Sequence, residues 1–370
     1  MKKRFAIVDL FSGIGGLSYG FYHSDNFEIV LANEIDKDTA KAYSLNHPKV
    51  KVLDCDIKEI DKQAFNQHIK TNVDIVVGGP PCQSYSTLGK RKNDDKAQLF
   101  NEFSRVLEIL NPKIFIYENV TGLISMNNGL LFKEIKSIFE NLGYKISFKI
   151  LNAVEFGVPQ IRERVIVVGC RSGREFVFPK ETHGQGNLAE NLLPFVSLAD
   201  ALSDLPVLKS GEENNAYAAS PQNDFQKFVR KNTFGGTQTQ LTENKAPNNG
   251  EHLIKLMHAL KDGETKDDLP IHLRPKSGYK NTYAKLWWNK PVPTVTRNFA
   301  CVSSSRCIHP RDSRALTTRE GARLQSFPDD FKFFGSQSKK NLQIGNAVPP
   351  LLSIKLAEKV YEYLKENNYV

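Results

Sequence analysis

The sequence predicts an α/β fold: a parallel β-sheet clothed in helices, joined to a smaller, loop-rich domain. Three observations carry this. Short β-rich runs alternate with helical periodicity through residues 1–175, the pattern of βαβ units. That rhythm stops after about Ser172. It returns near the end, where Leu351–Leu364 carries apolar residues at helical spacing.

The elements follow in order. Phe5–Leu10 is a β run leading into a glycine-rich turn and helical spacing over Gly16–His23. Ile29–Ala32 is the next β run, followed by a helix over Lys37–Asn46. Val73–Val77 and Ile114–Tyr117 flank a helix over Gln98–Leu110, and Leu130–Leu142 is helical before the β runs Ile146–Ile150 and Val165–Gly169. In such sheets ligands sit at the carboxyl ends of the strands. From about 172 to 280 the chain is rich in Asn, Gln, Gly and Pro, and turns such as Pro247-Asn-Asn-Gly250 punctuate it.

The 370 residues are 40% hydrophobic and 25% charged, the composition of a soluble globular chain. No apolar run approaches the roughly 18 residues of a membrane span. The basic start, Met1–Arg4, leads into an apolar run that Asp9 interrupts, and no cleavage-like tail follows, so a secretory signal is not expected. Five scattered cysteines form no CxxC, which argues against a disulfide framework and a zinc site and for a reducing cytosol.

The net charge of +9 is unevenly placed. Residues 270–345 hold 14 Lys plus Arg against four Asp plus Glu, so the other 294 residues sum to −1. A basic excess confined to one segment favours a nucleic-acid partner, with an ordinary solvated basic face as the alternative. The same segment carries Tyr279, Tyr283, Trp287, Trp288 and Phe299, which suit stacking or a core equally.

Three stretches at strand ends carry chemistry. The first strand runs into Asp9-Leu-Phe-Ser-Gly13-Ile-Gly15-Gly16-Leu17. Its glycines permit close backbone approach to a ligand at a helix start, though a structural turn explains them as well. Ser18 stands where a dinucleotide fingerprint needs its third glycine, and Glu34 ends the next β run, where an acid suits a ribose diol. A nucleoside without a pyrophosphate satisfies both, and S-adenosylmethionine is such a molecule. Gly78-Gly-Pro80-Pro81-Cys82-Gln83-Ser84 puts a cysteine in a stiffened loop at a strand end, favouring a nucleophile over an inert core thiol. Glu118 follows Ile114–Tyr117, a run buried on both faces by its pattern, so its carboxylate either caps a helix or works in a cleft.

These stretches, together with Gln160-Ile-Arg162-Glu-Arg164, Arg314-Ala-Leu-Thr-Thr-Arg-Glu-Gly-Ala-Arg323-Leu-Gln-Ser-Phe-Pro328 and Gly345-Asn-Ala-Val-Pro349, resemble the DNA (cytosine-5) methyltransferases, of the bacterial restriction–modification type. The motifs stand in the family's order and span residues 9–350. Tyr85 stands where the family commonly has Phe, and the ring is kept.

The resemblance implies a Rossmann-like S-adenosylmethionine-dependent methyltransferase domain over 1–175 and a target recognition domain over 176–313. A hinge segment over 314–344 and a C-terminal part over 345–370 returning to the catalytic domain complete the chain. It implies that Cys82 adds to C6 of cytosine, that Glu118 donates a proton or hydrogen bond at N3, and that C5 then takes the cofactor's methyl group. Loss of the C5 proton expels Cys82. Arg164 would hold the target cytosine or its phosphate, and Arg162 would steady the catalytic loop or make a structural ion pair. Cofactor contacts carried over by motif are Phe11, Gly13, Gly15, Gly16, Leu17, Glu34, Asp56, Pro80, Asn346 and Val348, with no metal. The cytosine must leave the duplex stack to be reached. Candidate DNA contacts are Gln83, Ser84, Arg274, Lys276, Lys280, Arg297 and Arg306. The expected partner is duplex DNA, with either a restriction endonuclease sharing its site without a stable complex or, equally compatible with the sequence, no nuclease partner at all, for a monomer in the bacterial cytoplasm, associated with the nucleoid. Competing readings are an RNA cytosine-5 methyltransferase, disfavoured by the long basic module, a DNA-binding protein on a retired catalytic fold, disfavoured by intact Cys82, Glu118 and Arg164, and a nicotinamide oxidoreductase, disfavoured by Ser18.

Overall fold

The computed structural model describes residues 4–81, 99–185, 191–232, 235–276, 278–279 and 281–369. Cys82, Gln83, Ser84 and Lys280 therefore lie outside the described residues. The chain forms two compact units: Met1–Asn152 with Glu163–Lys180 and Leu352–Val370, and Ala153–Arg162 with Glu181–Leu351.

Unit 1 is an α/β sandwich around a seven-stranded sheet. Its strands are β1 (Phe5–Leu10), β2 (Phe27–Asn33), β3 (Lys51–Leu53), β4 (Ile75–Gly78), β5 (Ile114–Asn119), β6 (Lys145–Asn152) and β7 (Glu163–Cys170). They lie in the order β3-β2-β1-β4-β5-β7-β6. The first five pair in parallel, while β7 is antiparallel to both its neighbours. The expected all-parallel sheet is thus corrected at one strand. No unit 1 helix separates β6 from β7, and antiparallel neighbours need no crossover helix.

Every residue of β1 and β4 is buried, because helices cover both faces. The helices are α1 (Tyr19–Tyr22), α2 (Lys37–Asn46), α3 (Lys62–His68), α4 (Leu99–Leu110), α5 (Gly122–Ser125) and α6 (Leu130–Asn141). On one face Phe103 of α4 and Phe139 of α6 pack with Phe115 and Tyr117 of β5. The C-terminal helix Pro350–Glu366 reaches the first helix: Gly20 N donates to Ser353 Oγ at 2.8 Å, and Ser353 Oγ donates to the Leu17 carbonyl.

Unit 2 has little regular structure. It contains two strand pairs, β8 (His183–Gly184) with β9 (Leu193–Pro194) and β10 (Ala284–Lys285) with β11 (Arg306–Ile308). Its helices are α7 (Leu198–Leu202), α8 (Asp224–Val229), α9 (Glu251–Ala259), α10 (Thr318–Leu324) and α11 (Gln337–Asn346). All seven residues of α10 are buried; Glu320 and Arg323 are ion-paired, while Arg319 donates to the Thr242, Pro328 and Phe331 carbonyls and the Thr242 hydroxyl. Arg314 bonds Glu320 at 2.8 and 2.7 Å and Asp312 at 2.8 Å. Arg323 bonds Asp329 at 2.9 and 2.7 Å and also engages Asp204. Burial alone would raise the Glu320 carboxyl, but Arg314 outweighs it and holds Glu320 at about 2. Three of the four acids in residues 270–345, Asp312, Glu320 and Asp329, are therefore paired with arginines inside the fold.

Candidate active site

The carboxyl ends of β1, β2, β4 and β5 gather the residues that the sequence singled out. After Leu10 the backbone turns left-handed at Phe11 (φ 51°), Gly13 (φ 57°) and Gly15 (φ 89°). A side chain at Gly15 would do more than strain that turn: its Cβ would stand 2.3 Å from the His47 ring. Glu34, just past β2, locks the loop from the other side. Its carboxylate accepts from Gly13 N at 3.0 Å and from Asp36 N at 2.9 Å, and burial pushes the carboxyl up.

Beneath the loop lies a buried polar cluster that sequence reasoning missed. Burial raises the Asp9 carboxyl to about 7, against the lowering effect of the Ser18 and Tyr43 hydroxyls. Tyr43 donates to Asp9 Oδ2 at 3.2 Å and stacks on His47 at 4.1 Å. Burial lowers His47 to about 3, so its ring is neutral, with Nδ1 3.0 Å from the Tyr43 carbonyl. Asp9 Oδ1, Ser12 Oγ and His47 Nε2 are buried without a hydrogen-bond partner, three of eight such atoms among the described residues. Buried polar atoms are rarely left so, and their gathering at one loop fits a polar ligand there. No pattern of spacing marks Tyr43 or His47, because their roles arise only when α2 packs under the loop.

Asn33 at the end of β2 donates to the Leu53 carbonyl at 3.0 Å and the Cys55 carbonyl at 2.9 Å, fixing the segment that leads to Asp56. Asp56 itself caps a short turn by accepting from Lys58 N at 3.0 Å. Gly16 and Leu17 are buried at the start of the first helical turn.

Beside this loop, Asn119 Nδ2 donates to the Pro80 carbonyl at 3.0 Å, anchoring the backbone two residues before Cys82. Gly79 lies against the Glu118 carboxylate, since a Cβ there would be 2.7 Å from Oε2. Arg164 Nε meets Glu118 Oε1 at 2.9 Å, with both side chains nearly buried. The register explains the pair. Glu118 stands opposite Ile166, and Arg164 is two residues along β7 on the same face, a diagonal cross-strand neighbour.

The two arginines of the Gln-x-Arg-x-Arg stretch part company. Arg164 serves unit 1, whereas Arg162 is fully buried in unit 2. Its guanidinium donates to the Val295 carbonyl at 3.1 Å, the Gly345 carbonyl at 2.8 Å and the Ala347 carbonyl at 2.9 Å. Gln160 accepts from Val295 N at 2.7 Å, and Gln325 donates to the Ile344 carbonyl at 2.7 Å. These bonds fix the segment holding exposed Asn346 and buried Val348. Arg274, Lys276 and Arg297 are exposed on unit 2. Arg306 differs: it donates to the Gly263 carbonyl at 3.0 Å and the Lys285 carbonyl at 2.6 Å and stacks on Trp287 at 4.4 Å. Among the described residues no group of three or more His, Cys, Asp or Glu could hold a metal, and no helix is long and apolar enough to cross a membrane.

A mostly parallel sheet with a glycine turn at the end of its first strand and an acid at the end of the next is the framework of the nucleotide-binding α/β class. The chain belongs to the C-5 cytosine-specific DNA methylase family, whose model matches residues 5–362. It is an enzyme that methylates cytosine C5 in DNA and uses S-adenosylmethionine. It is 36% identical over 358 residues to Type II methyltransferase M1.HphI of Haemophilus parahaemolyticus, spanning 95% of this chain and 86% of that protein. It is 36% identical over 389 residues to Type II methyltransferase M.DdeI of Desulfomicrobium norvegicum, spanning 98% and 90%. A prophage-encoded Escherichia coli protein described as a DNA modification methyltransferase superposes with a TM-score of 0.77 at 25% identity, over 98% of this chain and 99% of that one.

Proposed function

We propose that the protein methylates one cytosine within a defined DNA sequence through a covalent Cys82–C6 adduct. It thereby protects host DNA beside a restriction endonuclease that reads the same site without a stable complex. The naming of its relatives as Type II methyltransferases supports the biological setting. The carrying observation for the chemistry is the Glu118–Arg164 pair at 2.9 Å, packed against Gly79 on the strand end that runs into Pro80-Pro81-Cys82. The enzyme acts as a monomer, without a metal, in the bacterial cytoplasm at the nucleoid.

The target cytosine is extruded from the duplex, at a cost of about a few kcal/mol, to expose C6. The Cys82 thiolate adds at C6 while Glu118 donates a hydrogen bond or proton to N3, so that negative charge does not build on the ring. Arg164 positions the Glu118 side chain, which is protonated when it donates to N3, and steadies the base. Bound S-adenosylmethionine supplies an electrophilic methyl group for C5. Loss of the C5 proton then restores the ring and expels Cys82.

The cofactor is held by Phe11, Gly13, Gly15, Gly16 and Leu17 of the first loop, by Glu34 at the ribose, and by Asp56 and Pro80. The underlying polar cluster of Asp9, Tyr43 and His47 supports this by fixing the loop from below. Arg162 is a positioning residue rather than a group that touches cytosine, as its three carbonyl partners argue. Gln83, Ser84, Arg274, Lys276 and Arg297 contact DNA, while Arg306 braces unit 2, which carries the last three. Residues 176–313 form the target recognition domain, followed by the hinge segment over 314–344.

The test is labelled methyl transfer to duplex DNA with tRNA beside it. Label is expected in DNA only, and label confined to tRNA would move the substrate to RNA. Cys82→Ala should lower transfer by more than about a thousandfold while DNA binding persists. Duplex DNA containing 5-fluorocytosine should trap the enzyme in a cofactor-dependent adduct on a denaturing gel, because fluorine does not leave as a proton does. The absence of that adduct would remove the covalent route.

A further inference from the structure

Among the described residues, the two most exposed large apolar side chains are Tyr279 at 87% and Ile271 at 85%. They lie on one excursion of unit 2, between Thr265 and Tyr283. Exposed apolar residues on a slack loop would mean little, but this one is braced internally. Asp268 accepts from Thr265 N at 2.9 Å and Thr265 Oγ1 at 3.1 Å, closing the first turn. Arg274 Nε donates to the Leu269 carbonyl at 2.7 Å, which folds the short turn Ile271–Leu273 outward. Lys266 donates to the Gly278 carbonyl, and buried Thr282 donates to the Tyr279 carbonyl from both N (3.1 Å) and Oγ1 (2.8 Å). Tyr283 N then ties the end of the excursion to the Val302 carbonyl at 2.6 Å. The backbone thus presents Ile271 and Tyr279 instead of folding over them.

The acids stand toward the start of the excursion, where Asp267 and Asp268 are exposed on its first turn. At the base, Asp262 accepts from Trp288 N at 3.2 Å and Glu264 from Lys261 N at 2.7 Å, and Asp268 is engaged as above. His272, Arg274 and Lys276 are exposed beside the two apolar side chains. An apolar tip flanked by cations complements a polyanion whose interior offers apolar contacts. In duplex DNA those contacts are the thymine 5-methyl group and the base faces.

We infer that Ile271 and Tyr279 form a base-reading tip of unit 2, with Ile271 packed on a thymine 5-methyl group and Tyr279 against a neighbouring base, so that the recognised sequence contains an A·T pair. This rests on the DNA-methylating reading above and adds apolar readers to the basic ones. Flanking Arg274 and Lys276 set the tip on the phosphates and carry no base choice.

The experiment determines the methylated site by bisulfite sequencing. It then measures kcat/KM on duplexes in which each thymine of the site is replaced in turn by deoxyuridine, which removes only the methyl group. At one thymine, the wild type should lose about tenfold, and Ile271→Ala should lose about tenfold on the normal duplex but nothing more on the deoxyuridine duplex. Tyr279→Ala should cut discrimination between the site and a one-base variant about tenfold. S-adenosylhomocysteine affinity by calorimetry should stay unchanged in both variants, showing that they fold. A site of G·C pairs only, or additive losses for Ile271→Ala and deoxyuridine, overturns the assignment of Ile271. Wild-type discrimination in Tyr279→Ala overturns that of Tyr279. Absence of any DNA methylation by the wild type defeats the underlying reading, and the inference with it.

Discussion

Unit 1 and unit 2 solve the same problem of holding loops in place by opposite means. In unit 1 a sheet buried on both faces does the work, with Phe103, Phe115, Tyr117 and Phe139 packed edge to face over it. In unit 2 the largest fully buried side chains are arginines: Arg162, Arg314, Arg319 and Arg323. Their fixed fork of donors meets carboxylates and orphan carbonyls that a loop-rich segment cannot pair in ladders. The difference teaches that a guanidinium can replace a strand as a source of backbone partners. The cost is that each buried charge must keep its partners.

The sharpest way to break this comparison is Arg323→Leu, which takes the shared guanidinium from two buried carboxylates, leaving Asp204 with Arg230 and Asp329 with the Tyr217 hydroxyl. A loss of about 3–5 kcal/mol is expected from chemical denaturation. A loss below about 1 kcal/mol would show that the buried network merely coexists with an apolar core. Next is Asp9→Asn, which tests the polar cluster under the cofactor loop of unit 1. The folded Asp9 carboxyl sits near 7, above its unfolded value of about 3.9, so wild-type stability is fullest below about pH 4 and falls as pH rises through 7. Between pH 5 and 8 the wild type should lose on the order of 2 kcal/mol relative to Asp9→Asn, read from melting curves at both pH values. Parallel pH profiles for the two proteins would contradict that ionisation. The smallest effect is expected at Lys227→Ala in unit 2. Its 2.9 Å pair with Asp224 is solvent-exposed and should contribute no more than about 0.5 kcal/mol.

The same contrast explains what could be read in advance. β1 (Phe5–Leu10) and α2 (Lys37–Asn46) have the bounds their sequence patterns predict, because apolar runs and helical spacing are written in consecutive residues. The three residues of β3 and the polar α3, with Phe65 its one buried side chain, present too little pattern to be seen. The reversed direction of β7 is invisible because a strand's composition does not encode which way it runs. At the site, Glu34 and Glu118 were legible as strand-end residues, and Arg164 by its place in the Gln-x-Arg-x-Arg stretch. Their mutual geometry was not, nor was the support from Asn33, Tyr43, His47 and Asn119, which depends on contacts between distant segments. In unit 2 the basic stretch was legible as charge. Which cations face solvent and which, like Arg314 and Arg323, are spent inside was not.

Unit 1 is drawn from three stretches of chain, and its last one completes its first. The bonds from Gly20 to Ser353 and from Ser353 to Leu17 join residues more than 330 positions apart. On the ribosome, the amino-terminal strands therefore emerge long before the helix that closes over them. All of unit 2 must be synthesised in the interval. The nascent sheet waits with that face uncovered, exposed to holding chaperones and to premature association with other chains. A ribosome stalled before residue 353 therefore carries an unfinished unit 1.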